Sequence, residues 1–167
     1  MVDIIYVDTG DNVIGSGPSR EAHEKSIIHR VIRIYLYNAA GEILLQKRAD
    51  HLNSNPGLWA ESVAGHVDVG ETYREAAYRE MKEEIGVEEV ELTELKKVYT
   101  EEKDAHKTKK RFTTLYRGAY DGDIRLEHGG EVSEVKWVAP EVFRQQISQH
   151  PERFSDGTIQ CFKALEE

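Results

Sequence analysis

The chain has a single cysteine, Cys161, in 167 residues. That excludes an internal disulfide and suits a reducing compartment. A lone thiol of this kind is read as a small buried apolar group rather than a nucleophile. No long uncharged apolar run occurs, so no membrane span is expected. The opening residues, MVDIIYVDTGDN, carry acid where an export signal would carry positive charge, and none is read there. Positive charge is short overall: 22 Lys and Arg against 31 Asp and Glu leave a formal net charge of −9. Such a balance argues against a nucleic-acid partner, whose phosphates demand cationic surface. No repeat, low-complexity tract or composition break divides the chain. What remains is a cytoplasmic protein with one domain over residues 1–167, long enough for a sound core.

The most informative segment is Gly65 to Val87, GHVDVGETYREAAYREMKEEIGV. On a helix, positions three and four apart lie on one face, so Glu80, Glu83 and Glu84 gather three carboxylates on one stripe. Like charge packed this way destabilises a helix unless something compensates it. Hard divalent cations such as Mg²⁺ seek such oxygen ligands, often together with substrate phosphates. On a helical projection Glu80 and Glu84 share a face with Tyr73, Ala76 and Ala77, and the alanines are expected to leave room for an ion. Ala77, Tyr78, Met81 and Ile85 form a neighbouring apolar stripe suited to seal the helix to a core. Gly86 most easily takes the left-handed conformation that ends a helix. Glu71, where the helix begins, complements the positive end of its dipole.

Elsewhere the chain alternates strand and helix signals. Val2–Val7 and Val13-Ile14 read as a hairpin turned at Asp11-Asn12, and residues 18–25 as a helical turn, so that 1–28 forms an N-terminal extension. Val31–Tyr37, Glu42–Lys47, Trp59–Val63, Glu91–Thr100, Phe112–Tyr120 and Val132–Val138 read as strands. HLNSNPGLW is loop-like. Pro140 opens a helix, and a last one runs through Thr158–Leu165. Composition and pattern alone give an α/β or α+β fold. Lys96, Lys97, Lys103, Lys107, Lys109, Lys110 and Arg111 cluster around the turn after the motif, where a solvated hairpin and a phosphate contact are both open. The aromatics Tyr35, Tyr37, Trp59 and Phe112 could stack on a base, although buried aromatics more often belong to a core.

The Gly65–Val87 segment resembles the signature of the Nudix hydrolase superfamily, G-x5-E-x7-R-E-U-x-E-E-x-G-U with U apolar. Gly65, Glu71, Arg79, Glu80, Met81, Glu83, Glu84, Gly86 and Val87 fill every specified position. The resemblance implies an α/β/α sandwich with a mixed central sheet. It also implies Mg²⁺ or Mn²⁺ held by Glu80, Glu83 and Glu84, with the Gly65 carbonyl as a further ligand and Glu71 and Arg79 fixing the platform. The implied reaction is hydrolysis of a phosphoanhydride in a nucleoside diphosphate linked to another group, or in a similar small diphosphate. Superfamily members differ in their general base. Some use a motif glutamate and others a distant one, for which Glu131 and Glu134 in HGGEVSEVKW are the candidates here. A non-catalytic nucleotide-binding regulator is the alternative outside enzymes. The oligomeric state is open, a homodimer included.

Over nearly its whole length the chain also resembles the isopentenyl-diphosphate isomerase branch of that superfamily, through EAHEKSIIHR, LLQKRA, NPGLW and SVAGH. In the isomerases two histidines ahead of the first long strand and one in the last of these segments bind a metal together with two glutamates. His23, His29 and His66 fall at or near those positions, as a vestigial metal site. The isomerase cysteine, two residues before the last histidine, is Ala64 here, and a methyl group transfers no proton. The isomerase glutamates are replaced around Lys109, Lys110 and Arg111. The resemblance thus favours a hydrolase on an isomerase-like scaffold.

Overall fold

The computed structural model describes residues 2–167; Met1, where the expected domain begins, lies outside them. Strands β1 (Ile4–Val7) and β2 (Val13–Gly17) form the N-terminal hairpin, followed by the short helix α1 (Ser19–Glu24). Its turn is tied by Asp8, whose Oδ1 accepts from the backbone N–H groups of Gly10 and Asn12 at 2.9 and 3.0 Å. Strand β3 (His29–Tyr37) then runs antiparallel to β6 (Val63–His66) and parallel to β8 (Lys107–Ala119). Strand β4 (Ile43–Arg48) pairs with β5 (Trp59–Ala60) and with β9 (Val132–Val138), both antiparallel. Strand β7 (Thr93–Asp104) completes the mixed sheet against β8.

The period-two alternation of the strands sorts their side chains to two faces. Ile32, Ile34 and Leu36 of β3 and Leu44 of β4 pack on one face with Ala76, Ala77, Met81 and Ile85 of α2 (Tyr73–Ile85). Tyr35, Ile43, Leu45 and Leu115 face the other way. There they meet Phe143 and Ile147 of α3 (Pro140–Gln149) and Cys161 and Phe162 of α4 (Asp156–Glu166). The result is the α/β/α layering that the Nudix resemblance implies. No helix among the described residues is long and apolar enough to cross a membrane.

Two strand assignments change. Trp59–Val63 is two strands, because the chain steps at Glu61-Ser62 from pairing with β4 to pairing with β3. Ser62 bridges the step: its hydroxyl donates to the Leu44 carbonyl at 2.6 Å and accepts from the Leu36 N–H at 2.8 Å. The basic segment is ladder rather than loop, since β7 and β8 continue to a tight turn at Ala105-His106, with Ala105 at φ 53°. The strand alternation therefore turns Lys109 and Arg111 inward; their exposures are 2% and 8%.

Candidate active site

Helix α2 begins with a capping box that the sequence reading missed, although T-Y-R-E at residues 72–75 carries its signature. Thr72 accepts from the Glu75 N–H, and Glu75 accepts from the Thr72 N–H at 2.8 Å. At the other end Gly86 takes φ 66° and caps the helix. So fixed, α2 presents Arg79, Glu80, Glu83 and Glu84 beside β6.

Glu84 is the most constrained of the carboxylates, buried at 7% exposure. One oxygen accepts from the Ala64 backbone N–H at 3.2 Å and the other from Gln46 Nε2 at 3.0 Å. Gln46 is held in turn by donating to the Ser62 carbonyl at 3.2 Å. Glu80 lies against Gly65: a Cβ on Gly65 would collide with its carboxyl group. A glycine is needed at that position because the carboxylate takes the space. Arg79 organises the rest. Its Nε and one terminal nitrogen donate to the two oxygens of Glu71 at 2.6 and 3.0 Å, and the same nitrogen reaches the His66 carbonyl at 3.0 Å. Its other terminal nitrogen donates to Glu80 at 2.9 Å and to Glu83 at 3.2 Å. Glu71 thus acts on the site through Arg79 as well as sitting at the helix start.

Burial raises the Glu80 carboxyl to about 7 despite Arg79 beside it, with Glu83 and Glu131 adding to the rise. Burial also raises Glu84 well above the ordinary carboxylate range, and Glu80 pushes it further. A buried and a largely buried carboxylate that resist ionising together form the electrostatic ground for a divalent cation. The donor set, being oxygen throughout, fits a hard divalent cation.

Gly65, Glu80 and Glu83 line a pocket of about 310 Å³ together with Arg48, Arg111, His23, His66 and Glu131. Glu131 also closes a smaller recess with Glu80, Glu83 and Glu84. Glu134 is not brought there; it stands exposed on β9 opposite Lys47. Ala76 and Ala77 are not beside the pocket either. Both are fully buried in the core, and the room near Glu80 comes from Gly65 instead. Tyr35 is fully buried, Tyr37 packs against the same core cluster, Trp59 lies under the Lys136 ammonium, and Phe112 packs on Tyr99. None of the four lines the pocket.

His23, His29 and His66 do come together, with ring centroids 5.2 to 5.5 Å apart and ligand atoms within 4.8 Å of one another. Their neighbours are cationic. The His29 Nδ1–H donates to the Ile27 carbonyl at 2.9 Å, so its Nε2 lone pair accepts the Arg111 Nε–H at 3.1 Å. A terminal nitrogen of Arg111 lies 3.4 Å from His23 Nε2. Burial and the Arg111 charge pull His23 and His29 down to about 3 and hold His66 well below its ordinary value. Arg111 is anchored by Glu102 at 2.6 Å; Glu102 also pairs with Arg33 at 3.1 Å, and Arg33 pairs with the fully buried Glu61. Burial would raise Glu102, but Arg111 and Arg33 hold it at about 2. This network was not legible from residue spacing. Glu61, an acid inside the apolar WAESVA segment, was the available signal.

A mixed sheet between helices, with a carboxylate-bearing helix packed on a glycine of the adjacent strand, defines a Nudix fold. The chain belongs to the NUDIX domain family, whose family model matches residues 27–157. It is 30% identical to an uncharacterized Nudix hydrolase of Pseudomonas aeruginosa over 89% of this chain and 85% of the relative. It is 33% identical to the isopentenyl-diphosphate Delta-isomerase 2 of Photorhabdus laumondii, over 91% and 85% respectively. The isomerase-like branch is therefore the one this chain resembles. Among solved structures, DR0079 of Deinococcus radiodurans superposes with a TM-score of 0.80 at 21% identity and 99% coverage of both chains. The NUDIX domain of Shewanella oneidensis NrtR, solved with ADP ribose, gives 0.62 at 19% identity, covering 82% of this chain and 85% of that one.

Proposed function

We propose that this protein is a metal-dependent hydrolase of phosphoanhydride bonds in small diphosphates, nucleoside diphosphates linked to a further group among them. The observation that carries this reading is the Glu80–Glu84 pair: a buried carboxylate fixed by Ala64 and Gln46 and a largely buried one seated on Gly65, lining one recess with Glu83 and Glu131. Mg²⁺ or Mn²⁺ held by Glu80, Glu83, Glu84 and the Gly65 carbonyl would neutralise a diphosphate and lower the pKa of nearby water. Arg79 orients Glu80 and Glu83, and Glu71 orients Arg79. Glu131, which lines the recess, would receive the proton of an attacking water; Glu134, exposed on β9, does not line it. Most of the catalysis of phosphoryl transfer is positioning and charge neutralisation, which these groups supply without a covalent intermediate.

Isomerisation is the rival, and two residues speak against it. Ala64 stands where the resemblance calls for a cysteine, and Arg111 occupies the side of the histidine cluster where isomerase glutamates are expected. The test is incubation with Mg²⁺ and a panel of nucleotide sugars, dinucleotides, nucleoside triphosphates and isopentenyl diphosphate. The expected result is phosphate or nucleotide release from at least one member, lost in a folded Glu84→Gln variant. Tight binding of one member with no turnover of any would favour a nucleotide-binding regulator. Conversion of isopentenyl diphosphate to its isomer would favour the isomerase.

A further inference from the structure

We propose that the histidine cluster of this chain is an anion subsite rather than a metal site. Arg111 stands among the three rings as a built-in cation, and with Arg48 it takes a phosphate group of the substrate other than the one at the metal. The proposal rests on the reading of the pocket as a diphosphate site and assigns its second half.

The geometry leaves little for a metal to bind. The Nε2 lone pair of His29 is already committed to the Arg111 Nε–H, and the lone pair of His23 Nε2 faces the same guanidinium. A metal ion ligated by these nitrogens would have to displace Arg111 while remaining beside its positive charge. Lys109 adds a further buried cation; it is tied to Asp104 at 2.8 Å and to the Ser54 hydroxyl. The acids nearby are spent on these cations, Glu102 on Arg111 and Arg33 and Asp104 on Lys109.

For an anion the same arrangement is favourable. A guanidinium carries five N–H donors, and Arg111 directs one each at His29, Glu102 and His23, which leaves two. Arg48, on the same wall, spends its Nε–H on the Ser54 carbonyl at 2.9 Å and keeps its four terminal donors. His66 Nε2 is buried without any hydrogen-bond partner, an orphan that a phosphate oxygen would satisfy as the Nε2–H tautomer. The pocket lining thus carries both signs: the acids Glu80, Glu83 and Glu131, and the donors Arg48, Arg111 and His66. Planar guanidinium groups suit phosphate oxygens directly, with no intervening metal.

The experiment uses inorganic pyrophosphate as the anion probe and Co²⁺ as the metal probe on the full chain. In EDTA, pyrophosphate is expected to raise the melting temperature of the wild type in a saturable way. Arg48→Ala and Arg111→Lys, each checked for native circular dichroism, are expected to weaken that binding about tenfold or more. Arg111→Lys keeps the charge that Glu102 needs, so the variant separates loss of the fork from misfolding. Glu84→Gln is expected to keep metal-free pyrophosphate binding while losing turnover. A wild type without hydrolase activity that still binds pyrophosphate through Arg111 would support the subsite and remove the hydrolase reading alone. Unchanged pyrophosphate binding in both arginine variants would overturn the proposal. So would a stoichiometric Co²⁺ absorption band in the wild type that disappears in His29→Ala.

Discussion

Arg111 donates its Nε–H to Nε2 of His29 across 3.1 Å, and together with the Ile27 carbonyl at Nδ1 that bond holds a buried, neutral imidazole in one tautomer. It is possible because His29 and Arg111 are register partners on the parallel strands β3 and β8. An arginine there turns a cluster that looks like a metal site into one already holding a positive charge.

The neutral histidines give the protein an acid-side weakness. Burial first, and Arg111 second, place His23 and His29 at about 3, below the ordinary value near 6.5. Between these values the unfolded chain binds more protons than the folded one, so stability falls as pH falls. The contribution is complete above about 6.5. Urea midpoints measured from pH 7.5 to 4 are expected to drop more steeply for wild type than for His29→Gln. Parallel curves would contradict the assignment.

Glu80 and Glu84 act in the opposite sense in metal-free protein. Their folded values are raised, Glu80 to about 7, so the folded state holds extra protons between about 4.5 and 7. The Glu80 contribution is therefore present at low pH and lost as pH rises through about 7, and the raised Glu84 acts in the same direction. Glu80→Gln is expected to remove part of this loss, and saturating Mg²⁺ to reverse it in wild type. Calorimetry in buffers of different ionisation enthalpy should show protons released on Mg²⁺ uptake below pH 7. Uptake without proton release would count against Glu80 as a ligand.

Gly65→Ala should be costly for a local reason. The added Cβ meets the Glu80 carboxyl, whereas at Gly15 it meets nothing within 4 Å. The expected destabilisation is about 1–3 kcal/mol by denaturant titration, with weakened Mg²⁺ dependence. Gly15→Ala should stay within about 0.5 kcal/mol of wild type. Equal effects at the two glycines would show that the fit at Gly65 is not tight.

Arg79→Lys keeps the charge but loses the two-pronged grip on Glu71 and the bond to the His66 carbonyl. Mg²⁺ affinity is expected to fall about 10- to 100-fold with the fold retained. Glu71→Gln should weaken it in the same direction. The double variant should lose less than the two losses combined, since both act through one contact. Full additivity would separate the two residues.

The motif helix was legible because its information is local. Spacing at the helical period placed the three glutamates together, a glycine at the cap, and the Ala77–Met81–Ile85 stripe against the sheet. Which side of that helix the pocket occupies was not local information, so Ala76 and Ala77 were expected beside the metal and lie in the core instead. The same limit hid the partners of Glu84: Gln46 is 38 residues away and reaches it only once β4 is in the sheet. Gln46, a polar side chain amid the apolar run of β4, was the faint signal. The inward turn of Lys109 and Arg111 follows from strand phase, and a hairpin tip cannot reveal phase until its turn is known. Glu131 and Glu134 looked alike in sequence, and only the start of β9 between them separates the pocket wall from the exposed sheet edge.

The most direct test of the central claim is ³¹P NMR of the wild-type protein in D₂O with Mg²⁺, given isopentenyl diphosphate and a nucleoside-diphosphate panel in parallel. A hydrolase should release inorganic phosphate or a nucleoside monophosphate from at least one substrate. Glu84→Gln should release neither, and isopentenyl diphosphate should show no isomer and no carbon-bound deuterium by ²H NMR. Deuterium-labelled isomer, with every phosphoanhydride in the panel intact, would contradict the account.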